Sequence, residues 1–120
     1  MSARSSCSRS WIRLTDNHTV AALYGGHGIP AKVADKEKQV QSFDKFAKEA
    51  VKHGADVLMG NHANQDDAVS NLEILKKRPS STCGPVNPFI ISTEEYVRYL
   101  QMNSACVRVQ AARSGQFMSL

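Results

Sequence analysis

The sequence predicts a layered α/β unit with its helices on one face of a small sheet. Two short apolar runs, residues 20–24 and 55–60, are bounded by turn-forming residues or glycine and read as strands. A long stretch of helical spacing separates them and two more helical stretches follow, while residues 11–15 add a strand in front. The resulting order is strand, strand, helix, strand, helix, helix. At 120 residues the chain has room for one domain whose core needs no metal or disulfide staple.

The first ten residues, MSARSSCSRS, carry no hydrophobic pattern and are expected to form a disordered leader. From Trp11 the pattern alternates, with Ile12 and Leu14 set against Trp11, Arg13 and Thr15. Asp16, Asn17 and His18 then supply turn chemistry, so residues 11–15 and 20–24 are an expected hairpin. In the loop that follows, Gly25, Gly26 and Gly28 permit close backbone approach around His27, and Pro30 blocks continuation of the sheet. A phosphate cradle is disfavoured there, because no Gly-Lys-Ser/Thr closes the loop.

Over residues 33–53 the period turns helical. Val40, Phe43, Phe46, Ala47, Ala50 and Val51 fall on one stripe, with Lys36, Lys38, Lys45, Lys48 and Lys52 assigned to the solvated side. Gly54 is placed to end this helix in the left-handed conformation. A second helix is expected from Asp66 or Asp67, either able to cap it, to about Arg78, with Val69, Leu72, Ile74 and Leu75 inward and Pro79 as its stop. Past a turn-rich loop, Phe89, Ile90 and Ile91 are expected to reach the core, with Phe89 as the anchor. Ser92 and Glu95 form a capping-box signature for a last helix, on which Tyr96, Val97, Tyr99, Leu100, Cys106 and Val109 are the apolar positions. Residues 114–120 are expected to fray.

Composition removes several classes of function. The net charge of +4 is spread among interspersed acids and bases with no aromatic-rich basic run, which argues against nucleic-acid binding. Cys7, Cys83 and Cys106 are odd in number and lack C-x-x-C spacing, so neither a disulfide framework nor a cysteine zinc site is indicated. No apolar span long enough for a membrane helix or secretory signal occurs, which leaves localisation open with the cytoplasm as the default.

The chemistry-bearing stretch is residues 54–67, GADVLMGNHANQDD. A short buried strand there ends at His62, followed by the Asp66-Asp67 pair. A lone histidine in such a place is more often a hydrogen-bonded loop residue than a ligand, so His62 is weighed with its surroundings.

Several ordered motifs together resemble the C-terminal part of a metallo-β-lactamase, most nearly the three-histidine subclass. They are VAALYGG from Val20, ADVLMGNH ending at His62, Asp67 with NLEIL from Asn71, NPF from Asn87, and YVRYL from Tyr96. The resemblance covers residues 11–113 of this chain but only the second half of the family's domain. It implies half of an αββα sandwich, and zinc as the cofactor. His62 is then the match to the family's histidine ligand of the second zinc. Asp66 and Asp67, on the same loop, are candidates for auxiliary metal ligands or for loop-forming residues.

The chain departs from the family where it matters most. The family's His-x-His-x-Asp-His motif and its later first-site histidine lie upstream of what the chain contains, and no H-x-H occurs here. His18, His27 and His53 fall in a turn, a glycine loop and a helix end, and Ala63 stands where a proline is expected. A catalytic zinc needs about three protein ligands and an open water position. Two functions compete on this basis. One is a zinc hydrolase of lactams, esters or thioesters represented only by its C-terminal half and inactive alone. The other is a non-catalytic truncated derivative that binds a partner. In either case the sheet face away from the helices is expected to be bare, so that the chain pairs with a complementary N-terminal half, self-associates or stays molten.

Overall fold

A β-α-β crossover sets the architecture. The computed structural model describes residues 19–25, 28–62, 64–77 and 87–120. Over these the chain is a small α/β unit of two strands and three helices: β1 (Ala21–Leu23), α1 (Val33–His53), β2 (Val57–Met59), α2 (Ala68–Lys76) and α3 (Thr93–Arg113). The expected strand at 11–15, the turn through His18, the leader, His27, Ala63, Cys7, Cys83 and Pro79 all lie outside the described residues.

β1 and β2 are parallel, with Ala21 opposite Val57, Ala22 opposite Leu58 and Leu23 opposite Met59. A parallel pair needs a long crossover, which α1 supplies. The start of the ladder is tied by Asp56: its Oδ1 accepts from the Val20 amide at 2.8 Å, and its own amide donates to the Val20 carbonyl at 3.0 Å. On its other edge β2 meets residues 89–91. The Leu58 amide donates to the Phe89 carbonyl, the Ile91 amide to the Asp56 carbonyl, and Val57 bridges Ile90 in antiparallel sense. Ile91 packs against the core while Phe89 is only half-buried, so the anchor of this segment is Ile91 and not Phe89 as expected.

Two long helices close the core. α1 carries Val40, Phe43 and Ala50 fully inward, and α3 carries Tyr96, Leu100, Val107 and Ala111. Tyr24, just past β1, stacks on Phe43 at 4.4 Å between ring centroids, and meets Phe46 edge-on at 5.3 Å. Phe46 in turn faces Tyr96 at 6.3 Å, and the Tyr96 hydroxyl donates to the Ala22 carbonyl at 3.0 Å, fastening α3 to the sheet. Such offset and tilted ring pairs each add about 0.5–1.5 kcal/mol beyond area burial.

α1 ends as expected on Gly54 at φ 65°, where the Gly54 and Ala55 amides bond back to the Val51 and Ala50 carbonyls. At the start of α3, Ser92 caps through its Oγ, which accepts from the Glu95 amide at 3.3 Å.

Other expectations need correction. Lys36, assigned to the solvated side, is 2% exposed, because it stands four residues before Val40 and seven before Phe43 and so shares their stripe. Val51 is exposed instead. On α3, Cys106 and Val109 are exposed, since the buried stripe passes through Ser104, Val107 and Ala111. The largest departure is α2, where Val69, Leu72 and Ile74 were expected inward and all three are exposed, and none of its residues is buried. Among the described residues, no helix is long and apolar enough to cross a membrane.

Candidate functional site

The loop joining β2 to α2 is built around one carboxylate. Asp66 Oδ2 accepts from the Gly60 amide at 2.8 Å, and Asp66 Oδ1 accepts from the Ala68 amide at 3.0 Å. One side chain therefore ties the end of the strand to the first turn of the helix, satisfying two amides that would otherwise be unpaired. The Asp66 backbone carbonyl accepts in addition from Asn71 Nδ2 at 2.8 Å. Helix capping thus falls to Asp66, whereas Asp67 adopts a left-handed conformation at φ 52° with no side-chain cap bond, and contributes its backbone carbonyl to the Asn71 amide.

Gly60 is required by crowding. A Cβ built there would lie 2.8 Å from Gln65 Cβ and 3.2 Å from the His62 carbonyl oxygen, closer than side chains tolerate. The chain doubles back at this point, with the Gln65 amide donating to the His62 carbonyl at 3.0 Å. The outcome is a tight turn that leaves His62 and Asp67 exposed and Asp66 half-buried.

The charge of Asp66 is also felt on α3, at Tyr99. Burial raises the pKa of this phenol above 10.0, a hydrogen bond with the Asn103 side chain opposes the rise, and the charge of Asp66 adds to it. Tyr96, one turn earlier, is pushed up to about 12, first by burial and then by Tyr99. An open, mainly apolar groove of about 470 Å³ runs beside Tyr99, lined by Leu58, Ile91, Glu95, Arg98 and Met102. Arg98 is held by Glu95 and Glu94 at 2.6 and 2.9 Å, so the charge at its rim is internally paired. The sequence assigns Tyr99 only as an apolar position of the last helix and Gly60 only as part of the motif that ends at His62. Gly60 was legible in principle as a glycine directly after a strand, whereas Tyr99 feels the charge of Asp66 only through tertiary packing.

These residues do not fit a zinc centre. Among the described residues no three His, Cys, Asp or Glu side chains are grouped to hold a metal ion. Asp66, the carboxylate nearest His62 in sequence, gives each of its oxygens to a backbone amide and so serves the turn that presents His62. What the arrangement offers is one exposed imidazole on a hydrogen-bonded turn.

Comparison with protein-family models, with curated proteins and with solved structures finds no match.

Proposed function

We propose that the chain is the C-terminal half of a metallo-β-lactamase-type hydrolase domain, which presents His62 to a complementary N-terminal half and is non-catalytic by itself. The observation that carries this is apolar surface left on the sheet and on α2, the elements that flank the His62 loop. Leu23 and Met59, paired across the ladder, are 52% and 47% exposed, and on α2 Val69 and Leu72 are 67% and 51% exposed. Ala22 and Leu58, the pair before them, pack against the helices, so alternation along the strands turns Leu23 and Met59 to the opposite face. A partner laid over that face would recover about 25 cal/mol for each Å² of apolar surface covered.

A second reading, a stand-alone partner-binding module with no catalytic descent in its present form, is favoured by the engagement of Asp66 in the loop rather than in a ligand set. One experiment separates the two. The purified chain is sized by gel filtration with light scattering. It is then assayed with a chromogenic β-lactam and a thioester in the presence of zinc, first alone and then mixed with a polypeptide carrying an upstream His-x-His-x-Asp-His half. The hydrolase-half reading expects no turnover alone, a heterodimer on mixing, and turnover that depends on His62. Complex formation without turnover supports the binding module. A monodisperse monomer that ignores the added half contradicts the hydrolase-half reading.

A further inference from the structure

Among the described residues Lys36 is a buried cation that neither the loop nor the exposed faces explain. It lies in the first turn of α1, 2% exposed, and its Nζ donates to the Ala31 carbonyl at 2.8 Å and to Gln116 Oε1 at 2.7 Å. Gln116 also donates, through Nε2, to that same Ala31 carbonyl at 2.9 Å. The three groups close a ring between the approach to α1 and a segment 80 residues further along the chain.

The path of that segment follows from its own geometry. α3 ends with Gly115 at φ 67°, the Gly115 amide bonded to the Ala112 carbonyl and the Gln116 amide to the Ala111 carbonyl, the paired bonds of a helix-reversing motif. This turn sends residues 116–120 back across the start of α1. Met118 packs against the core, and both the amide and the hydroxyl of Ser119 donate to Glu37 Oε1, at 2.8 and 3.0 Å. The segment expected to fray is thus held at Gln116 and Ser119 by α1 and the residue leading into it, and at Met118 by the core.

We infer that residues 114–120 form a strap that closes over the start of α1, with Lys36 as its catch, an amine shielded while Gln116 holds it and reactive when the strap lifts. A lysine amine in this setting needs acceptors for its donors, because an unpartnered buried polar group is costly. Ala31 and Gln116 supply acceptors for two of its three N–H donors. Loss of the Gln116 contact leaves the Lys36 amine to turn outward to water, a route that opening of the strap clears. The strap also bonds the Ala31 carbonyl, two residues before α1 begins.

Acylation of the full chain with an N-hydroxysuccinimidyl acetate tests this, with each lysine followed by peptide mass spectrometry and Lys38, exposed on the same helix, as the internal reference. Lys36 is expected to react at least about tenfold more slowly than Lys38 in the wild type, as protection by a local closed state requires. Gln116→Ala should bring Lys36 close to the Lys38 rate, while Gln116→Glu, which keeps an acceptor for Nζ, should retain most of the protection. Hydrogen exchange of α3 in the same samples separates strap opening from unfolding, and α3 should stay protected in Gln116→Ala. Equal wild-type rates for Lys36 and Lys38, continued shielding of Lys36 in Gln116→Ala, or loss of α3 protection along with it would each overturn the strap.

Discussion

α1 and α2 stand on either side of β2 in the chain, and they meet opposite fates. α1 has 21 residues and places Lys36, Val40, Phe43 and Ala50 out of solvent against α3, whereas α2 has nine residues and buries none. Both are amphipathic enough to be read from sequence, yet only α1 has a partner of matching length, since α3 is also 21 residues. Helical spacing identifies a helix, and only a facing element decides whether its apolar side is covered. Isolated helices as short as α2 are marginal in water. The first turn of α2 is tied to the loop by Asp66, and its exposed Lys76–Glu73 pair at 2.8 Å adds only about a few tenths of a kcal/mol. The molecule is thus a closed layer, α1 with α3 over the sheet, joined to an open one.

If that contrast is sound, the largest effects of mutation must fall in the closed layer. Phe43→Ala, which removes the ring stacked on Tyr24, is expected to cost about 3–5 kcal/mol, enough to abolish a cooperative denaturant transition in a marginal domain. Survival of such a transition with an unchanged midpoint would break the comparison at its strong end. Asp66→Ala comes next. It strands the Gly60 and Ala68 amides and should cost about 1–3 kcal/mol, measured by the same method. Because Asp66 raises the Tyr99 pKa, the substitution should also lower it, which ultraviolet titration of the tyrosines reads directly.

The division between what sequence foretold and what it did not runs along the same line. The spans of α1 and α3, the Gly54 terminus, the Ser92 cap and the strand leading to His62 follow from local spacing and capping, and all are found. Lys36 was misassigned by residue type although its position on the Val40–Phe43 stripe was plain, so spacing outranks chemistry when a side chain finds acceptors. The burial of α2 could not be read, because it depends on a surface the described chain does not supply. At the loop, His62 was placed correctly at the strand end. The commitment of Asp66 to two amides depends on how closely Gly60 lets the chain fold back, which no spacing encodes.

Smaller effects sharpen the comparison. The folded state holds the Tyr96 proton up to about pH 12, while the unfolded chain releases it near 10.0. Its contribution is therefore complete below about pH 10 and declines as pH rises from 10 toward 12, by about 1 kcal/mol after allowance for screening by solvent. Denaturant midpoints across that window should fall, and Tyr96→Phe should flatten the dependence. At the weak end, Leu72→Ser on α2 is expected to change stability by no more than about 0.5 kcal/mol, as for an exposed site.

Native-state hydrogen exchange of the purified chain, resolved by helix, measures the contrast most directly. Amides in the middle of α1 and α3 should exchange only through global opening. Those of α2 should exchange with little protection until a partner covers Val69 and Leu72, and then slow. Protection of α2 equal to that of α1 and α3 in the monomeric chain would contradict the account, because the open layer would then be closed without a partner.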